Sequence, residues 1–236
     1  MHWKATIAAA GFTALTLGPP PILGAQAPFE GKAVYRVTTE TGQTGTVTWL
    51  VKGKKLRQDL ALEGTPPETQ AAYVVVDVGG GTMNSVIPSQ KAYVRVNLKQ
   101  MREQMAAQDT GTVTAKVSKT GQTDRFAGYA CEHYLIGERQ DVDMCLAKGI
   151  GILAPVAAAG GTLGGLMGGP ANEGSDAYAE LFRQGLFPLQ VSRITGTERR
   201  VLMEALSVQR MPVPASSFVI PAGYRPMRMP APRRRD

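Results

Sequence analysis

Histidine, cysteine and aromatic residues are scarce in this 236-residue chain, which has two His, two Cys, and only 6% Phe, Trp and Tyr together. So few imidazoles and thiols exclude multi-ligand zinc and iron–sulfur sites, and neither a metal nor a cofactor is expected. The low aromatic content argues against a surface that stacks nucleic acid bases. No phosphate loop, dinucleotide fingerprint or Gly-x-Ser-x-Gly elbow is present, so no catalytic residue is assigned. What is there is apolar: 43% of residues are hydrophobic and 19% charged, enough to build one large core. Lys and Arg number 26 against 19 Asp and Glu, a formal charge of +7 that raises the question of an anionic partner.

The first residues read as an address. Met1–Lys4 carry one positive charge, and Ala5–Leu17 then run through small and apolar residues, the layout of a secretory signal. The run is too short to span a bilayer, and no cysteine near it takes a lipid. Of the two small-residue cleavage sites, after Ala25 or after Ala27, the first is favoured because Pro28 would sit beside the second cut bond. The expected organisation is a signal peptide over 1–25, a single antiparallel β domain over 26–224, and a disordered basic tail over 225–236. The expected location is the periplasm or outside the cell, with no transmembrane span in the mature chain.

Beyond the signal the dominant hydrophobic period is two, which predicts strands. Alternation runs through Ala33–Val37, Thr46–Val51, Lys55–Leu62, Tyr73–Val78, Met83–Ile87, Lys91–Asn97, Thr112–Lys119, Tyr129–Ile136, Val142–Ala147, Leu186–Ile194 and Arg199–Gln209. Turns are placed at Thr41-Gly42-Gln43, Lys52-Gly53-Lys54, Gly79-Gly80-Gly81 and Thr120-Gly121-Gln122. The fold class is therefore mainly β: a large curved antiparallel sheet of ten to eleven strands, a half-barrel or open meander. One or two helices cover it. Leu98–Gln108 sets Leu98, Met101 and Met105 on one face, and Asp176–Gln184 follows Ser175 as N-cap and stops at Gly185.

Export changes how the cysteines are read. Cys131 and Cys145 flank a hairpin pattern whose index sum of 276 centres the turn on Glu138. The two thiols then face each other across antiparallel strands, and an oxidising compartment favours a structural disulfide over a redox-active pair or free thiols.

Residues 149–172 carry no charge, and glycine pairs recur at 160/161, 164/165 and 168/169. The Gly/Ala-rich segment 149–174 reads either as a mobile apolar lid over the concave face or a membrane-touching loop, or as a flexible, partly helical connector packed on the sheet. Ten methionines suit a soft interior that accepts flexible apolar ligands, although methionine also fills gaps in ordinary cores. The ligand-binding residues expected on this reading are Met101, Met105, Leu163, Leu166 and Met167. The tail offers Arg225, Arg228, Arg233, Arg234 and Arg235 to an anionic surface. With the signal removed the charge falls to +6, of which the tail holds +4, so the folded body is nearly balanced.

A family resemblance rests on particular residues. Phe29-Glu30-Gly31, Val51–Arg57, Pro88–Tyr93, Gly128–Tyr134, Leu186–Leu189 and Phe218–Tyr224, in that order, resemble the exported bacterial family of domain of unknown function 4412. In strand layout such proteins are similar to the lipoprotein carrier (periplasmic half-barrel) superfamily, whose curved sheet, closed by helices, holds acyl chains. The resemblance implies that fold and a hydrophobic ligand. It brings no catalytic residue.

Once the signal is removed His133 is the only histidine, and by strand parity Glu132 points away from it, so it reads as a strand residue with a hydrogen-bonded ring. Asp141 and Asp143 share a face and read as a solvated edge, being too few for calcium. The function expected is that of an exported, non-enzymatic binding protein of the cell envelope that holds a hydrophobic or lipid-like ligand. The alternative is an envelope protein-protein interaction module without a ligand cavity. Nucleic acid is not an expected partner.

Overall fold

Short glycine turns between alternating segments leave the chain little choice but to pair each strand with the next. The computed structural model describes residues 28–39, 41–66, 72–108, 116–151, 153 and 175–227. The first meander contains β1 (Gly31–Thr38), β2 (Thr44–Lys52), β3 (Lys55–Leu62), β4 (Tyr73–Asp77), β5 (Thr82–Ile87) and β6 (Ala92–Asn97). The second contains β7 (Lys116–Phe126), β8 (Tyr129–Gly137), β9 (Val142–Ala147), β10 (Phe187–Thr195) and β11 (Glu198–Arg210). A last strand, β12 (Arg225–Met227), completes a twelve-stranded sheet of order β12-β6-β5-β4-β3-β2-β1-β11-β10-β9-β8-β7. All pairings are antiparallel except β12 with β6. The fold is thus mainly β, as expected, and it is open at β12 and β7.

The two meanders meet where β1 pairs with β11, so the chain leaves β6 near one edge and re-enters at β7 on the other. In a flat sheet those strands would lie about 48 Å apart at ~4.8 Å per step. The intervening chain is an 11-residue helix and seven further residues, which reach about 45 Å at most. The sheet is curved: β7 and β11 come into contact although β10, β9 and β8 lie between them.

Helix α1 (Leu98–Gln108) starts where Asn97 Oδ1 accepts the N–H groups of Lys99 and Gln100 at 2.9 and 3.1 Å, an N-cap. Helix α2 (Ser175–Arg183) ends in a Schellman pair: Leu186 N–H donates to Leu181 O and Gly185 N–H to Phe182 O, both at 3.1 Å. Gly185 sits at φ +78°, which glycine adopts without a Cβ clash. Leu98 from α1 and Leu181 and Phe182 from α2 join the main core, which runs through β1, β2 and β8–β11.

A second, smaller core lies on the other face of the first meander. Tyr73, Val75 and Val86 are covered there by Val213 and Phe218 from the segment that follows β11. That segment is strapped down by polar contacts. Val213 N–H donates to Glu30 Oε1 at 3.0 Å, Lys52 Nζ to Val213 O at 2.8 Å, and Arg57 to Ser217 O at 3.4 Å. The strap ends as β12 beside β6. The tail therefore begins later than expected: Arg225–Met227 form a strand, because Arg225 N–H finds an acceptor in Lys91 O at 3.0 Å.

Two local readings are also corrected. Thr120-Gly121-Gln122 is not a turn but a bulge inside β7, where the register with β8 shifts and Gly121 takes φ +78°. The hairpin turn is Ala127-Gly128, both at positive φ. In the β8–β9 hairpin His133, not Cys131, faces Cys145, because the loop runs through Gln140 at φ +53° and is longer than the sequence pattern implies.

Candidate functional site

Register assigns every side chain of the first meander to a face. The face turned to the main core, here called the concave face, carries Ala33 and Tyr35 of β1, Val47, Trp49 and Val51 of β2, and Leu56, Gln58 and Leu60 of β3. It continues with Val74 and Val76 of β4, Met83 and Ser85 of β5, and Val94 and Val96 of β6. No charged residue of β1–β6 lies on it. Lys32, Arg36, Lys52, Arg57, Asp77 and Arg95 all fall on the convex side, half a pleat away. Antiparallel sheets with one buried face alternate in this way, but here the segregation covers six strands in succession. Tyr35 and Trp49 are in ring contact at 4.7 Å, and the Tyr35 hydroxyl donates to Pro188 O at 3.2 Å. Burial holds the Tyr35 phenol well above its ordinary range.

The convex face of the second meander is polar and buried. His133 Nδ1 lies 2.8 Å from Asp143 Oδ1, and Arg199 Nη2 lies 3.1 Å from Asp143 Oδ2. Arg199 also donates to Gln190 Oε1 at 3.0 Å, and Gln190 Nε2 donates to Glu204 at 3.0 Å. His133, Asp143 and Gln190 are each less than a tenth exposed, while the Arg199 side chain is 40% exposed. The chain of bonds joins β8, β9, β10 and β11, and the disulfide between Cys131 and Cys145 adjoins it with a Cα separation of 5.3 Å. Ser192 pairs in register with Asp143, but its buried hydroxyl has no hydrogen-bond partner among the described residues. Both Asp143 oxygens are taken and the serine does not reach the imidazole, so the geometry is that of a clamp between strands.

The residues singled out from sequence meet different outcomes. Cys131 and Cys145 form the disulfide, and His133 has the bonded ring expected of it. Asp143 is not on a solvated edge: β9 lies between β8 and β10, so its carboxylate is interior, whereas Asp141 stays near Arg139 and Arg193. Met101 is partly buried against the main core from α1, the helix that also contains Met105. Leu163, Leu166 and Met167, most of the segment 149–174, the signal region 1–25, Arg228, Arg233, Arg234 and Arg235 lie outside the described residues. Arg225 is exposed on β12. Sequence reasoning missed Trp49, Gln58 and Arg199. Their roles depend on which strands become neighbours, and no local spacing encodes that.

Among the described residues no group of three or more His, Cys, Asp or Glu is placed to hold a metal ion, and no helix is long and apolar enough to cross a membrane. The fold and these two faces define an open, curved, mostly antiparallel sheet protein with one uncharged face over β1–β6. The chain belongs to the family described as domain of unknown function (DUF4412), whose profile matches residues 29–224. No curated protein matches it.

Proposed function

We propose that this chain is an exported, non-catalytic binding protein of the cell envelope that holds a hydrophobic, lipid-like ligand against the concave face of its sheet. The observation that carries the reading is the exclusion of every charge from the concave side of β1–β6. A core that only needs burial tolerates snorkelling Lys or Arg at its rim; an uncharged wall running out to the half-buried Val94 and Ser85 suits contact with acyl chains. The secretory pattern of residues 1–25 supports export, and the family resemblance read from the sequence implies a half-barrel like that of the lipoprotein carriers. In sequence, residues 149–172 are free of charge and four arginines follow β12, compositions that suit an apolar ligand and an anionic surface.

Native mass spectrometry of the chain purified from its own envelope tests this. A population heavier than the polypeptide by the mass of one lipid is expected, released by organic solvent. A bare polypeptide, accompanied by a stoichiometric protein partner, would instead support an envelope interaction module.

A further inference from the structure

One row of the concave face is not purely apolar. Register aligns Ala33, Trp49, Gln58, Val74, Ser85 and Val94 across β1–β6. The row on one side is hydrocarbon, Val51, Leu56, Val76, Met83 and Val96; on the other Val47 and Leu60 follow Tyr35, whose hydroxyl is already given to Pro188 O. Within the polar row Trp49 is 2% exposed, and its indole Nε1 has no acceptor among the described residues. Its ring neighbour Tyr35, equally buried, does have one. Buried donors are rarely left without an acceptor. Gln58, directly across the ladder and 6% exposed, brings an amide to the same face.

We propose that the Trp49 indole N–H and the Gln58 amide form a polar subsite that takes the carbonyl oxygen of a neutral acyl ester. This deepens the carrier reading and rests on it: the ligand is an esterified acyl chain, bound chain-first along the hydrocarbon row with its carbonyl at Trp49. A bare alkane offers no acceptor. A free fatty-acid carboxylate offers one, but no cation stands on this face of β1–β6 to offset its desolvation.

The chain has two tryptophans, so the full-length protein carrying Trp3→Phe reports Trp49 alone. After solvent delipidation and refolding it is titrated with methyl palmitate, with hexadecane and with palmitate at neutral pH, following Trp49 emission and calorimetry. The ester is expected to bind about tenfold tighter than the alkane, one hydrogen bond's worth, with a red shift of the indole emission. Trp49→Phe, followed by calorimetry because no tryptophan remains, should reduce that advantage to about twofold, and a cooperative urea transition like the parent's certifies its fold. Gln58→Leu should act in the same direction. Equal binding of ester and alkane, or an ester preference that survives both substitutions, would overturn the subsite and leave the carrier reading standing. Failure of all three probes to bind would overturn both.

Discussion

The two meanders finish their convex faces by different means. Over β2–β6 the face is closed by the chain's own C-terminal strap, with Val213 and Phe218 buried on Tyr73, Val75 and Val86. Over β8–β11 the same side is held by His133, Asp143, Gln190 and Arg199 and by the Cys131–Cys145 disulfide. Apolar burial is non-directional and scales with area, so the strap contributes stability without fixing register. A buried polar cluster contributes little net stability but penalises any mispairing that leaves one partner alone. The first half is therefore covered, and the second half is specified. Neither device intrudes on the concave face, which stays uncharged over β1–β6.

The largest expected effect comes from emptying the strap. Phe218→Ala should cost about 4 kcal/mol in a urea unfolding titration, with little dependence on salt. Breaking the disulfide with Cys131→Ala and Cys145→Ala together should cost about 3 kcal/mol, the value for a loop near 15 residues. Asp143→Ala should cost about 2 kcal/mol, moderated because Arg199 is partly solvated, and should speed amide exchange in β9 and β10 before β4 and β5. Its cost should add to that of Phe218→Ala within about 0.5 kcal/mol. A larger coupling would mean that the two halves are not finished independently.

The smallest effect concerns acid. The Val213 N–H and the Lys52 ammonium hold the Glu30 carboxyl below its ordinary 4.5. For Asp77 burial pushes upward, but the Gly80 N–H and Lys55 outweigh it, and its carboxyl too is lowered. A depressed carboxyl stabilises the fold above its unfolded pKa, and that contribution is lost as pH falls through the folded value. Stability should thus decline below about pH 4.5, and Glu30→Gln should flatten part of that decline. The opposite limb belongs chiefly to Tyr35. Burial raises its phenol, and more weakly those of Tyr73 and Tyr134, so stability should fall as pH rises past 10, where the unfolded chain ionises first, and Tyr35→Phe should remove the largest part of that dependence.

Local chemistry made most strands readable. Period-two alternation placed β3 and β9 at their observed ends, and Ser175 and Gly185 bracketed α2. Thr120-Gly121-Gln122 misled because a glycine at positive φ serves a bulge as well as a turn. The strand β12 was invisible because Arg225-Pro226-Met227 has no alternation, and only the neighbouring β6 edge makes it a strand. The pairing of β1 with β11 joins residues from 166 to 179 positions apart, and no window along the chain contains it. For the same reason the polar row at Trp49 and the clamp at Asp143 could not be read. Trp49 looked like one more apolar strand position, and Asp143 like one more edge charge.

The central claim is that ligand lies on the concave side, and a photocrosslinking residue tests it face by face. Benzoylphenylalanine is placed at Ser85, half-buried on the concave side, or at Arg95, on the convex side of the adjacent strand, and the native envelope is irradiated. A lipid-mass adduct at position 85 and none at position 95 is the predicted result. Adducts of equal yield at both positions, or a protein adduct at 95 with none at 85, would contradict it.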